Sequence, residues 1–208
     1  MTILYLHGFA SGPASKKAQF FGEKLRAIGH EVIVPELDGG DFYSMTITSQ
    51  LKIVEEVSRG RAVTVMGSSM GGYLAALHAA SHPEVKQLVL LAPAFGFARR
   101  WPLTLGLKVV DQWRADGSME MFHYGQNKLV RIGYQLLEDG LKYPDNPTFG
   151  QPALIFHGAN DDTVPASFSV EFAKANSNVE LHVWDSDHEL VNVLEPMWQR
   201  VRSFLIQS

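Results

Sequence analysis

Ala62-Val63-Thr64-Val65-Met66-Gly67-Ser68-Ser69-Met70-Gly71-Gly72-Tyr73-Leu74-Ala75-Ala76-Leu77 opens as an apolar strand, breaks at a glycine-flanked turn and continues as a helix rich in Ala and Leu. Inside it, Gly67-Ser68-Ser69-Met70-Gly71 is a G-x-S-x-G element centred on Ser69. The spacing has a steric origin. A serine on a tight strand-to-helix turn takes strained backbone angles, and a side chain at either flanking glycine would strike the neighbouring strand or helix. The turn lifts the Ser69 hydroxyl above the sheet edge and leaves the next amide, Met70 N–H, pointing into the same space. Both sit at a helix N-terminus, whose dipole favours developing negative charge. The strand before and the helix after are the context that makes Ser69 a candidate nucleophile instead of a plain Gly-Ser turn.

The same rhythm extends outward in both directions. Ile3 to Leu6 is a continuous apolar run, the pattern of a strand buried on both faces. Ser15 caps a helix with Ala18, Phe21, Leu25 and Ile28 at helical spacing and Gly29 as its stop. Glu31 to Val34 is a second strand, and Thr46 or Thr48 opens a helix carrying Ile47, Leu51, Val54 and Val57. Beyond the Ser69 turn, Leu88 to Ala92 is again continuous and apolar. Ala153 to Phe156 and Val179 to Trp184 read as strands, Ala166 to Ala175 and Leu194 to Leu205 as helices. Between Phe95 and about Gly150 the chain holds no convincing strand yet is rich in Trp, Phe, Met and Leu, so two or three helices are expected there, the clearest over Asn127 to Leu137. The expected architecture is α/β: a mostly parallel central sheet with helices on both faces and a helical cap inserted at about 95–150, in a single domain spanning 1–208.

Composition sets outer limits. The 208 residues carry 18 Lys plus Arg against 22 Asp plus Glu, a formal charge of -4, which argues against a nucleic-acid partner. An apolar share of 46% supports a substantial core. With no cysteine, a disulfide framework or cysteine metal site is excluded, and the chain suits a reducing cytoplasm. The opening segment reads as a core strand and not as a signal peptide, and no apolar run approaches membrane-spanning length, so stable membrane insertion is not expected. No H-E-x-x-H pattern or phosphate-cradling glycine loop occurs, and neither a metal nor an organic cofactor is expected.

In parallel sheets the chemistry collects at the carboxyl ends of the strands. Four loops at such ends carry reactive groups: the Ser69 turn, His157-Gly158-Ala159-Asn160-Asp161-Asp162, Asp185-Ser186-Asp187-His188, and His7-Gly8-Phe9. Ser, then Asp, then His along the chain is the order of a nucleophile, an acid and a base on such a sheet. His188 is the candidate base. Asp161 and Asp162 are adjacent and only one can face it; Asp161 is preferred, with Asp162 as a surface neighbour or helix cap. His7 and His157, each before a glycine, are read as loop-holding residues. Asp185 and Asp187 are read as loop polar groups. The amides after His7 can turn back toward Ser69, since Gly8 permits a close approach.

With these residues assembled, Leu4-Tyr5-Leu6-His7-Gly8-Phe9-Ala10-Ser11-Gly12-Pro13, Gly67-Ser68-Ser69-Met70-Gly71-Gly72-Tyr73 and His157-Gly158…Asp161-Asp162-Thr163-Val164-Pro165 resemble the α/β-hydrolase superfamily. The first two are similar to the small bacterial YqiA-type esterases. The Ser186-Asp187-His188 ending is similar to small serine thioesterases and acyl-ester hydrolases related to the mammalian depalmitoylating enzymes. The resemblance implies Ser69 as nucleophile, Asp161 as acid, His188 as base, and the backbone amides of Phe9 and Met70 as the oxyanion hole.

The expected activity is hydrolysis of carboxylic esters or thioesters of short to medium acyl chains, with a small-molecule substrate and activity that rises with pH as the base loses its proton. Trp101, Trp113, Met121 and Phe122 are candidate walls of an acyl pocket, against the alternative that such residues pack the cap onto the body. Arg99 and Arg100 are read as a solvated surface pair. Dehalogenase and epoxide-hydrolase chemistry is disfavoured, because those enzymes place a carboxylate where this chain has Ser69. Peptidases, carbon–carbon bond hydrolases and non-catalytic binding proteins on the same fold remain alternatives.

Overall fold

A computed structural model describes residues 1–206 of the chain. Six strands form one sheet: β1 (Thr2–Leu6), β2 (Glu31–Ile33), β3 (Val63–Ser68), β4 (Val85–Leu91), β7 (Ala153–Gly158) and β8 (Val179–Trp184), in the order β2-β1-β3-β4-β7-β8. Every pairing in it is parallel. A parallel sheet must be covered on both faces, and the period of two along each strand sorts the side chains accordingly. Ile3, Tyr5, Met66, Val89, Leu91, Leu154 and Phe156 point to one side, where α1 (Lys16–Ala27) and α8 (Leu194–Ile206) supply Phe21, Leu25, Trp198 and Val201. Leu4, Leu6, Val65, Leu88, Leu90 and Ile155 point to the other, against α2 (Ile47–Ser58), α3 (Met70–Ser81) and α7 (Ser167–Ala175).

Local signals account for several boundaries. Thr46, not Thr48, begins α2: its hydroxyl accepts from Ser49 N–H at 3.0 Å while Ser49 Oγ accepts from Thr46 N–H at 2.9 Å, a reciprocal cap. Thr48 is used elsewhere, donating through N–H and hydroxyl to the buried Asp139 at 2.7 and 2.9 Å. The α3 helix is buried almost all round, as its Ala, Gly and Leu content requires.

The segment between β4 and β7 departs from expectation. It comprises α4 (Phe97–Leu105), α5 (Leu107–Asp116), an antiparallel hairpin of β5 (Ser118–His123) and β6 (Lys128–Gly133), and the short α6 (Gln135–Gly140). The helix expected over Asn127 to Leu137 is therefore replaced by strand β6 and the start of α6, and the inserted segment is mixed and not purely helical. The reason is local. Gly125 and Asn127 form the turn, Asn127 with a positive φ of 51°, and β-branched Val130 and Ile132 fit a pleated surface better than a helix. The apolar residues Leu129, Val130, Ile132, Leu136 and Leu137 happen also to fall at helical spacing, and the tertiary pairing with β5 decides between the two periods.

Candidate functional site

The carboxyl ends of β1, β3, β4, β7 and β8 end on one edge of the sheet, where Leu6 pairs with Gly67, Ser68 with Leu91, Leu91 with Phe156 and Gly158 with Trp184. Ser69 follows β3 directly with φ 54° and ψ −117°, a strained conformation for a residue bearing a side chain. Surrounding bonds hold it there. Its N–H donates to Leu91 O at 2.8 Å, and its carbonyl accepts from Gly72, Tyr73 and Ala94 at 3.0 to 3.1 Å. The two glycines of the motif are sterically required. A Cβ on Gly67 would lie 2.2 Å from Gly71 O, and one on Gly71 would lie 2.1 Å from Leu6 O. Gly8 does not follow that logic: a Cβ there would meet Ser68 O and Ser69 Cβ at 3.5 Å, an ordinary contact, so its glycine is not demanded by the approach to Ser69.

Three side chains meet in a line. Ser69 Oγ lies 3.0 Å from His188 Nε2, and His188 Nδ1 lies 2.7 Å from Asp161 Oδ2. A carboxylate only accepts, so Nδ1 carries the hydrogen and donates it to Asp161, which leaves the Nε2 lone pair facing the Ser69 hydroxyl. Asp161 Oδ1 accepts from Thr163 N–H at 2.9 Å and Val164 N–H at 2.7 Å. The Asp161 side chain is fully buried. Burial by itself would raise its carboxyl; hydrogen bonds from His157 and His188, the charge of His188 and the Val164 N–H outweigh that and hold it well below the usual carboxylate range. Asp162 is exposed and, among the described residues, accepts only from the Thr163 hydroxyl, at 3.2 Å.

The loops bearing Asp161 and His188 are cross-tied. Asn160 N–H donates to Ser186 O and Asn160 Nδ2 to Asp185 Oδ1. A Cβ on Gly158 would fall 2.3 Å from Asp187 O, so glycine is required where the two loops cross. Asp187 Oδ1 accepts from the N–H groups of Glu189 and Leu190, and Leu190 takes a φ of 57°. Lys17 donates to Glu189 O at 2.8 Å from α1; burial pushes its amine down to about 8 against the pull of Glu189, Asp161 and Asp187.

On the opposite side, Phe9 follows β1. His7 Nδ1–H donates to Gly8 O at 3.0 Å and Nε2 accepts from Leu37 N–H at 3.4 Å, and burial lowers the imidazole toward the neutral form that this pattern uses. In a trans peptide the carbonyl and the next N–H point oppositely, so fixing Gly8 C=O also fixes the direction of Phe9 N–H. Among the described residues, neither Phe9 N–H nor Met70 N–H donates to a protein acceptor.

The four expected wall residues divide. Trp101 is half-buried on α4, its ring centroid 5.3 Å from Phe9, and it is the cap aromatic in contact with the loop beside Ser69. Trp113 is fully buried, donates its indole N–H to Ile132 O at 3.1 Å and packs edge-on against Trp101, on the cap side of it. Met121 is partly buried against the main core, and Phe122, 40% exposed, packs on Tyr124. Arg99 pairs with Asp145 at 2.7 Å, whereas Arg100 donates to Thr163 O at 2.6 Å and so braces the Asp161 loop, contrary to the expected free surface pair. Both that brace and the contact of His157 with Asp161 escaped sequence reasoning: Arg100 and Thr163 are far apart in the chain, and the four-residue spacing of His157 and Asp161 does not report where either side chain turns. No group of three or more His, Asp or Glu side chains among the described residues is arranged to hold a metal ion.

With this geometry in hand, comparison with known proteins identifies the lineage. Residues 2–205 match the uncharacterised protein family UPF0227. The chain belongs to UPF0227. This member of UPF0227 has the α/β-hydrolase fold. It superposes on the α/β-hydrolase domain-containing protein 10 from mouse with a TM-score of 0.80 at 21% identity, covering 99% of this chain and 90% of that one. Est1E from Butyrivibrio proteoclasticus, solved with ferulic acid, gives a TM-score of 0.81 at 20% identity over 99% and 88% of the two chains. A monoacylglycerol lipase from Paleococcus ferrophilus gives 0.79 at 15% identity over 99% and 94%. The search of curated proteins returned no match by sequence. Among the described residues, no helix is long and apolar enough to cross a membrane.

Proposed function

We propose that this UPF0227 protein is a serine hydrolase that cleaves carboxylic esters or thioesters through a covalent acyl-enzyme, with Ser69 as nucleophile, His188 as base and Asp161 as acid. The observation that carries the reading is the hydrogen-bonded line from Ser69 Oγ through His188 to a buried, ionised Asp161. His188 Nε2 takes the Ser69 proton as Oγ attacks the acyl carbonyl, and Asp161 holds the ring and stabilises the imidazolium without taking its proton. The tetrahedral oxyanion forms beside two amides that have no protein acceptor among the described residues, Phe9 and Met70 N–H, the latter at the start of α3. His188 then hands its proton to the departing alkoxide or thiolate. Water, deprotonated by the same imidazole, attacks the acyl carbonyl and frees Ser69.

The 97–140 segment acts as a cap in this reading, with Trp101 and Phe9 forming the apolar side against which a short to medium acyl chain lies. Two of the structural neighbours, Est1E solved with ferulic acid and a monoacylglycerol lipase, support this reading by analogy of fold. A fluorophosphonate probe should label the wild type and not Ser69→Ala, and p-nitrophenyl esters of rising chain length should be cleaved beyond acetate. Equal labelling of Ser69→Ala would overturn the assignment of the nucleophile; cleavage of acetate alone would overturn the acyl range.

A further inference from the structure

His157 lies outside the Ser69–His188–Asp161 line yet touches it. The ring is fully buried at the end of β7, where both nitrogens need partners. Nδ1 faces the hydroxyl of the equally buried Ser169 on α7 at 2.7 Å. Nε2 faces Val164 O at 2.8 Å and Asp161 Oδ2 at 3.1 Å. Carbonyl and carboxylate oxygens only accept, so the proton sits on Nε2 and is shared between them, while Nδ1 accepts from the Ser169 hydroxyl. The neighbours dictate this tautomer.

The carboxylate is thereby divided in two. Oδ1 is saturated by the N–H groups of Thr163 and Val164, and Oδ2 has two imidazole N–H groups, one from His188 and one from His157. Among the described residues these two histidines are the basic side chains within ion-pairing distance of Asp161. Lys17 and Arg100 act on it from farther away, and Asp187 and Glu189 bear on Lys17. A tie for the loop alone would need only the Val164 carbonyl. The extra contact puts the positive end of an N–H beside the oxygen that faces His188, drawing off charge that would otherwise favour the imidazolium.

We infer that His157 is a positioning residue for the acid: it fixes the direction from which Asp161 Oδ2 meets His188 and limits the negative charge that His188 feels. The inference rests on the triad reading above. Without His157, Asp161 Oδ2 turns more of its charge on His188 and the line to Ser69 loosens.

The test compares His157→Gln, His157→Asn and His157→Leu with wild type on a p-nitrophenyl ester, with rates expressed per fluorophosphonate-labelled Ser69. Gln places an amide nitrogen where Nε2 stood. Asn keeps the Ser169 partner but cannot reach Oδ2. Leu and Asn are expected to lower kcat per labelled site by about 10- to 100-fold with little change in KM, and to move the acid limb of the kcat profile to higher pH. Gln should recover most of the rate and the wild-type limb. Wild-type kcat and limb per labelled site in Leu and Asn would overturn the inference, leaving His157 a loop tie. Wild type that takes no label, or labels like Ser69→Ala, would instead sink the triad reading beneath it. Imidazole ¹⁵N shifts of the wild type add a check that needs no variant to fold: His157 should carry its hydrogen on Nε2, and a hydrogen on Nδ1 alone would overturn the inference.

Discussion

The strand-end loops around Ser69 and the segment between β4 and β7 are held by different means. Around Ser69, backbone crosses backbone: Gly67, Gly71 and Gly158 stand where any side chain would overlap a carbonyl, and Ala10, Ser69, Ala92 and Leu190 keep positive φ values near the strand ends. Conformations that costly persist only where the surroundings over-determine them; bonds to neighbouring strands hold Ser69 and Ala92, the Gly125 N–H meets Ala10 O, and Asp187 holds the Leu190 N–H. The inserted segment is held by side-chain packing together with polar ties such as Thr48 to Asp139 and Gly133 N–H to Tyr43 O, and among the described residues it leaves Leu103, Leu107, Val109, Phe122, Tyr124, Leu129 and Leu141 exposed, seven of the twelve large apolar side chains so exposed. The contrast teaches where precision is needed. A reacting line tolerates little displacement, whereas a covering segment can change its surface without disturbing it.

Substitutions can break or sharpen that contrast. The largest effect belongs to Ser69→Ala, which should cost on the order of 10⁴-fold or more in ester turnover with the fold intact by circular dichroism. Asp161→Asn should cost about 10³- to 10⁴-fold, since the amide cannot hold the His188 tautomer in the same way. Its pH signature has a definite sign. The folded protein keeps Asp161 ionised more firmly than the unfolded chain, so the carboxylate's contribution to stability is complete above about pH 4 to 5 and fades as the pH falls toward the depressed folded value. In denaturant titrations, the margin of wild type over Asp161→Asn should shrink below that range; a margin independent of pH would contradict the ionised, buried carboxylate.

Gly71→Ala tests the backbone crossing itself. A Cβ 2.1 Å from Leu6 O and 2.5 Å from His7 O forces β1 and the turn apart, with a loss of about 2–3 kcal/mol in unfolding free energy and about 10²-fold in kcat. Trp101→Ala should leave acetate turnover within about threefold but raise KM for longer acyl chains about tenfold, as expected for lost apolar contact beside Phe9. Smallest of all, Leu129→Ser on the exposed hairpin face should shift stability by no more than about 0.5 kcal/mol. Were Leu129→Ser to cost as much as Gly71→Ala, the distinction between the two regions would fall.

Sequence and structure part company along the same divide. Parallel strands buried on both faces announce themselves as apolar runs, and the glycine-flanked turn announces Ser69, because both are consequences of local chain geometry. Residues 97–140 were harder to read: Leu129, Val130 and Ile132 satisfy two periods at once, and only pairing with Met119, Met121 and Phe122 settles on a strand. Trp101 and Trp113 illustrate the same limit. They look equivalent along the chain, yet one faces Phe9 and the other is sealed behind it.

By itself, the order of residues determined a parallel α/β core, the glycine-flanked Ser69 turn, and the strand ends that carry Asp161 and His188. Tertiary structure decided how Asp161 is buried and partnered while Asp162 stays exposed, that Arg100 braces the Asp161 loop and His157 meets its carboxylate, and that the inserted segment carries a hairpin. The reason is one of range. Backbone strain and periodicity act within a few residues and leave their mark in composition, whereas the partner of a side chain is set by the folded path of its own loop and by whichever distant loop the sheet brings beside it.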